Sequence, residues 1–186
     1  KARTLYREAI EKLRALGDER RVGGALTNLG ALEQLAGDAL EAKRCLTDAL
    51  AMLSGKKNAR DLTVLYANLS ITQLSLGEIS DAREAARAEL RYALDLQDER
   101  NVAESMIHFG SIAARCGDIM RAARLSGYGR SRLESIGLAG YLADLPAAVS
   151  LERSLHAQLV PAELTRLTAE GAAWPRKQAI DEAMKV

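Results

Sequence analysis

The stretch NLGALEQLAGDALEA, Asn28 to Ala42, places Gly30 and Gly37 seven residues apart inside what otherwise reads as helix. Glycine costs a helix interior about 1 kcal/mol relative to alanine. Either the pair cradles a phosphate, or it sets a spacing. Shifting the sequence by 40 residues decides between them. The stretch then falls on NLSITQLSLGEISDA (68–82), and that on HFGSIAARCGDIMRA (108–122), without a gap. Gly37, Gly77 and Gly117 coincide, as do Ala42, Ala82 and Ala122. Gly30, Ser70 and Gly110 form a column of small residues, and Leu29, Leu69 and Phe109 a column of large ones. A phosphate loop is not built three times over, so the repeat points to architecture.

The register extends upstream. Asp18, Asn58 and Asp98 coincide, each a good residue to start a helix. Arg20, Arg60 and Arg100 follow, then Val22, Leu62 and Val102. Each unit reads as two helices. The first spans about 19–36, 59–76 and 99–116, and the second about 39–53, 79–95 and 119–135. The turn glycine suits the left-handed conformation that follows a helix C-terminus. Gly30 with Ala42, Ser70 with Ala82, and Gly110 with Ala122 read as close helix contacts. Ala2, Tyr6 and Ala9 match the second helix of a preceding unit, so the pattern is expected to begin in mid-repeat, as part of a longer array.

Composition agrees with an all-α fold. Of 186 residues 48% are hydrophobic and only 4% aromatic, and the three prolines all lie beyond residue 145. A formal net charge of +1 argues against a nucleic-acid or polybasic membrane surface. Cys45 and Cys116 are far apart, which suggests a reducing, cytoplasmic setting rather than a disulfide framework. No apolar run is long enough to span a membrane.

The pattern L-G, then G-D, then A resembles the tetratricopeptide repeat (TPR), whose usual period is about 34 residues. Here the helices or the turn between repeats are longer by six. The resemblance implies a right-handed superhelix of antiparallel helix pairs over 1–136: a half repeat at 1–16 and full repeats at about 19–53, 59–95 and 99–135. From Asp118 onward, the elements Arg121 to Leu125, Gly137, Leu155 to Leu159, Glu170-Gly171 and Ala179 are similar to the tail of large bacterial signal-transduction ATPases and transcriptional regulators. Residues 137–186 are then a C-terminal helical cap. Asp144 is placed to start a helix with Pro146 in its first turn, and Leu145, Val149, Leu155 and Leu159 supply apolar contacts. Trp174-Pro175 opens a last helix with Ala179, Ile180 and Ala183 facing inward.

Residues with chemical potential read as structural. GYGR, Gly127 to Arg130, lacks a preceding strand and the full dinucleotide fingerprint, so a break or kink in the helix is expected there. His108 occupies the column of Asn28 and Asn68, without a marked nucleophile, and His156 lies in the cap. Neither cysteine has histidines at zinc spacing. Arg115, Arg121, Arg124, Arg130 and Arg132 form a local basic excess that either touches DNA or an acidic partner, or forms a solvated face. No enzyme, cofactor or metal site is expected.

The first helices stand out for lack of charge. None occurs from Leu62 to Gly77, and only Glu33 from Val22 to Gly37. By the TPR resemblance, the groove positions are Thr27, Asn28, Ala31 and Gln34; Ala67, Asn68, Ile71 and Leu74; and Ile107, His108, Ser111 and Ala114. The expected function is a non-catalytic protein-interaction and regulatory module. Its groove would take a peptide, another domain or a second copy; a small-molecule effector is the alternative.

Overall fold

A computed structural model describes residues 1–54 and 59–186. Every regular element among them is helical. The chain divides into two compact units, Lys1–Tyr92 and Ala93–Val186, with the boundary inside the last turn of one helix.

The first unit holds α1 (Ala2–Ala15), α2 (Glu19–Leu35), α3 (Ala39–Leu53), α4 (Ala59–Ser75) and most of α5 (Ile79–Asp95). Consecutive helices pack on one another: α1 on α2, α2 on α3, and α3 on α4. Their apolar faces meet in a core that includes Ile10, Val22, Leu26, Leu29, Leu46, Leu53, Leu62, Leu65 and Leu69. Tyr66 and Tyr92 stack with ring centroids 5.8 Å apart at its edge.

The turns explain both the period and the packing. At Gly37 the φ angle is +84°, a conformation that costs a residue with a Cβ about 1–2 kcal/mol. The Gly37 N–H donates to the Gln34 carbonyl (3.1 Å) and the Asp38 N–H to the Glu33 carbonyl (3.0 Å). This is a Schellman ending, which satisfies carbonyls the helix leaves over. The Asp38 carboxylate then accepts from the Glu41 N–H (3.1 Å), capping α3. One aspartate therefore closes one helix and opens the next. Asp18 repeats both roles between α1 and α2, and in the second unit Asp98 and Asp118 do so at the starts of α6 (Glu99–Arg115) and α7 (Ile119–Ser135). Asn58, the matching residue of the middle repeat, lies outside the described residues.

The described turns of this kind sit at 17, 37, 77, 97, 117 and 137. Helices α2, α4, α5, α6 and α7 are all 17 residues long. From α4 to α6 the 40-residue step is thus made of two 17-residue helices and two three-residue turns. The turn between units, where described, is as short as the turn within one.

The small-residue columns are close contacts. A Cβ on Gly30 would lie 2.7 Å from Leu46 Cγ and 3.3 Å from the Ala42 carbonyl oxygen. One on Gly110 would lie 3.2 Å from the Ala122 carbonyl oxygen. Ser70 and Ala82 are both buried.

The second unit adds to α6 and α7 a short 3-10 helix (Ala139–Asp144), α8 (Pro146–Gln158), α9 (Pro161–Ala172) and α10 (Arg176–Met184). α8 and α10 pack on α6, and α9 on α7. Residues 102–110 of α6 are buried without interruption. Here the structure corrects the sequence reading. Gly127 and Gly129 do not break α7, which is continuous from Ile119 to Ser135. They let other helices touch its backbone. A Cβ on Gly127 would collide with the backbone of Thr168 in α9, and one on Gly171 with the backbone of Arg124 in α7. A Cβ on Gly129 would lie 2.7 Å from the Ala103 carbonyl oxygen in α6. Leu145, rather than Asp144, precedes α8, and no side chain caps it; Asp144 ends the 3-10 helix. Val149 points outward, while Leu145, Leu151, Leu155 and Leu159 are buried. Ala179 and Ala183 face inward as expected, and Ile180 is half-buried.

Two substitutions test these assignments. Gln97 holds the turn position that is glycine elsewhere, at φ +53°. Gln97→Gly is expected to stabilise the protein by about 0.5–1 kcal/mol, read from denaturant unfolding. Gly127→Ala is expected to force α7 and α9 apart and cost about 1–3 kcal/mol. An unchanged midpoint for Gly127→Ala would remove the close helix crossing.

Candidate partner-binding face

α2 and α4 are neighbours in the first unit. From Val22 to Gly37 and from Leu62 to Gly77 the one charged residue, Glu33, is used internally. Glu33 is 1% exposed and pairs with Arg3 of α1 at 2.6 Å. The two helices are also tied by polar contacts one repeat apart: Arg20 Nε to Asp61 Oδ2 (3.0 Å) and Gln34 Nε2 to Ser75 Oγ (2.9 Å).

The structure separates the sequence-expected groove residues into two sets. Asn28 is exposed, and Ala31, Asn68 and Ile71 are half-buried. Helical geometry, at 3.6 residues per turn, puts them on one stripe with Gly24, Leu35, Val64 and Ser75. Leu35 and Val64 are 68% and 43% exposed, and the Cβ side of Gly24 is open. Two of the polar groups here bond within their own helix: Asn68 Nδ2 donates to the Val64 carbonyl (3.0 Å) and Ser75 Oγ to the Ile71 carbonyl (2.9 Å). Sequence reading missed Gly24, Leu35, Val64 and Ser75. They lie at helical steps of three and four from Asn28, Ala31, Asn68 and Ile71, which was the available signal.

Other expected residues turn elsewhere. Thr27 is buried, its hydroxyl donating to the Gly23 carbonyl (2.9 Å). Ile107, in the same column, is buried, its Cγ1 2.9 Å from where a Cβ of Gly129 would be. This column faces the helix partner within the pair. Ala67 in that column is half-buried, as are Gln34, Leu74, Ser111 and Ala114. His108 is 2% exposed, so the third repeat offers no open imidazole. Glu104, in the column of Val64, is also buried and pairs with Arg100 (2.6 Å). Arg100 in turn lies 4.4 Å from the centre of the Tyr141 ring. The stripe that is open on α2 and α4 is filled on α6.

The arginines of α7 are neutralised within their own unit. Arg121 meets Glu182 (3.3 Å), Arg124 meets Glu170 (2.8 Å), Arg130 meets Glu152 (3.2 Å) and Arg132 meets Glu99 (3.5 Å). The basic excess read from sequence therefore serves to hold α6 and the C-terminal helices against α7. Arg115, in the last turn of α6, is exposed.

No reactive constellation accompanies these features. The Cys45 thiol is pushed up by burial and by the nearby Glu41, so it stays protonated and non-nucleophilic at neutral pH. His156 is exposed, 3.9 Å from Glu152. Among the described residues no group of histidine, cysteine, aspartate and glutamate is arranged to hold a metal, and no helix is long and apolar enough to cross a membrane. The chain gives no significant match to any family model, curated protein or solved structure.

The carboxylates that clamp the second unit set its acid limit. Glu170 is held below the usual carboxylate range by the hydrogen bond from Arg124, with Arg166 adding; Glu182 is held down by Lys185, with Arg121 adding. Their folded pKa values are depressed. Their contribution is complete above the unfolded value of about 4.3 and is lost as pH falls through the lower folded values. Melting temperature is expected to fall below about pH 4.3, and Glu170→Gln with Glu182→Gln to flatten that fall. An identical acid profile in the double variant would show that these pairs do not clamp the unit.

Proposed function

We propose that this chain is a non-catalytic protein-interaction module, a TPR-like right-handed superhelix with a C-terminal helical cap, working as a regulatory part of a larger cytoplasmic signalling ATPase or transcriptional regulator. The recurring helix pairs and the three-residue turns support the architectural part of this reading. The observation that carries the functional part is the stripe Gly24, Asn28, Ala31, Leu35, Val64, Asn68, Ile71 and Ser75. It joins partly exposed apolar side chains to few polar groups, two of which, Asn68 and Ser75, bond within the chain.

Such a face has little to offer a charged ligand. Its gain on binding comes from apolar area removed from water, about 25 cal/mol per Å² before the cost of association is deducted. The partner it suits is an apolar or amphipathic helix laid along α2 and α4, with contacts spaced at three and four residues. An acidic peptide finds no free cation on the stripe itself, since its members are Gly, Asn, Ala, Leu, Val, Ile and Ser.

Selection of displayed peptides against the purified chain tests the reading. Enriched sequences are expected to be amphipathic helices without net acidity. Val64→Glu is expected to weaken their binding at least tenfold while leaving the melting temperature unchanged, because Val64 is substantially exposed. Ile71→Glu is expected to weaken it similarly. Enrichment of acidic peptides, or binding indifferent to Val64→Glu, would place the partner face elsewhere. A small molecule that raises the melting temperature of the wild type but not of Val64→Glu would replace the peptide with an effector.

A further inference from the structure

α10 carries its charges against its own helix dipole. Arg176 and Lys177 stand in its first turn, and Asp181 and Glu182 in its last. The N-terminus of a helix is the positive end of the backbone dipole and favours carboxylates, while the C-terminus favours cations. α10 has no acidic residue in its first turn and no basic one in its last. Pro175 precedes it, and no side chain caps it. At 9 residues it is also shorter than the ~12–15 at which an isolated helix is marginal in water. Its helical state therefore depends on what it packs against.

The charges that disfavour α10 in isolation are placed to meet its neighbours. Arg176 pairs with Glu99 in the first turn of α6, and Glu182 with Arg121 in the first turn of α7 (3.3 Å). α10 thus runs opposite to α7, along the stripe that helical geometry gives to Arg121, Tyr128 and Arg132. Tyr128 is 2% exposed, and the charges that act on its hydroxyl are Arg132, Arg176 and Glu99. Apolar contact is small by comparison. Within α10 only Ala179 and Ala183 are buried, one methyl group each, whereas Leu164 and Leu167 seat α9.

We infer that α10 is a docking-dependent latch: it is helical only while seated on α6 and α7, and its release uncovers Tyr128 while the rest of the second unit stays folded. Ion pairs near the surface set the latch, so salt, which screens them, loosens it. α9 is not released with it, because Gly127 and Gly171 let α7 and α9 touch backbone to backbone. The connection from Ala173 to Pro175, between the two helices, is the hinge. The inference is independent of the stripe on α2 and α4.

Amide exchange of the full chain under native conditions tests it. Amides of α10 are expected to exchange about a hundredfold faster than those in the middle of α6 and α7, and faster again in about 1 M salt. Two variants separate docking from intrinsic helix formation, because each improves the dipole of α10 while removing a contact to its neighbour. Arg176→Glu and Glu182→Lys are each expected to speed α10 exchange about tenfold and leave α6 and α7 unchanged. Nitration of Tyr128 by tetranitromethane, mapped by mass spectrometry, is expected to quicken by the same factor. An α10 that exchanges as slowly as α6 and α7 overturns the latch, as do variants that slow its exchange. Nitration of Tyr128 that stays constant while α10 exchange quickens also overturns it, by showing that α10 does not cover the ring.

Discussion

The structure depends on one residue serving two helices. Asp38 donates its N–H to the Glu33 carbonyl, and its carboxylate accepts from the Glu41 N–H. The first bond closes α2 and the second opens α3. Both helix ends leave backbone groups unpaired, and a linker that satisfies both with a single residue has no slack. The chain must reverse within three residues, and the residue before the aspartate must turn left-handed. Gly17, Gly37 and Gly117 do that without strain. Because Asp18, Asp98 and Asp118 repeat the arrangement, the relative phase of successive helices is set locally.

Fixed phase makes the side-chain columns possible. Within each described pair, equivalent positions then face the partner helix in the same register. Gly30 and Gly110 then meet the same backbone carbonyl in two different pairs, those of Ala42 and Ala122. Contact at that distance is incompatible with a side chain, so a small residue is a geometric condition of the pair. The C-terminal helices use the same device without the repeat. Gly127 and Gly171 let α7 and α9 touch backbone to backbone, and the arginine–carboxylate pairs flank that crossing.

Helix boundaries, turn glycines and pair contacts were legible because each is written within a few residues or repeated in register. The role of Gly127 and Gly129 was not. A glycine in a helix weakens it or admits a neighbour, and the neighbours that decide, Thr168 and Ala103, are remote in sequence. The same limit affected the face assignment. Thr27 and Asn28 are adjacent in sequence, yet one residue rotates a helix by about 100°. One is buried against the pair and the other is exposed. The register carried over from the TPR resemblance spanned both. Asp144 looked like a helix start by residue type, but the 3-10 turn ahead of Pro146 shifted the start to Leu145, which has no side-chain oxygen.

The equivalent columns also differ between repeats in how far they are open. Val64 and Asn68 on α4 are replaced on α6 by Glu104 and His108, both buried. A carboxylate there is tolerated because Arg100 pairs with it, and the Arg100 guanidinium lies over the ring of Tyr141 from the 3-10 helix. The third repeat has therefore converted an open apolar stripe into an internal polar contact that anchors the C-terminal layer. The same backbone geometry leaves the stripe open on α2 and α4 and closes it on α6. Which role a repeat takes is decided by whether two columns carry short side chains or a buried charge with its partner. The proposed recognition on the open repeats would then rest on shape and apolar area, since Glu104 and His108 are buried in the closed one.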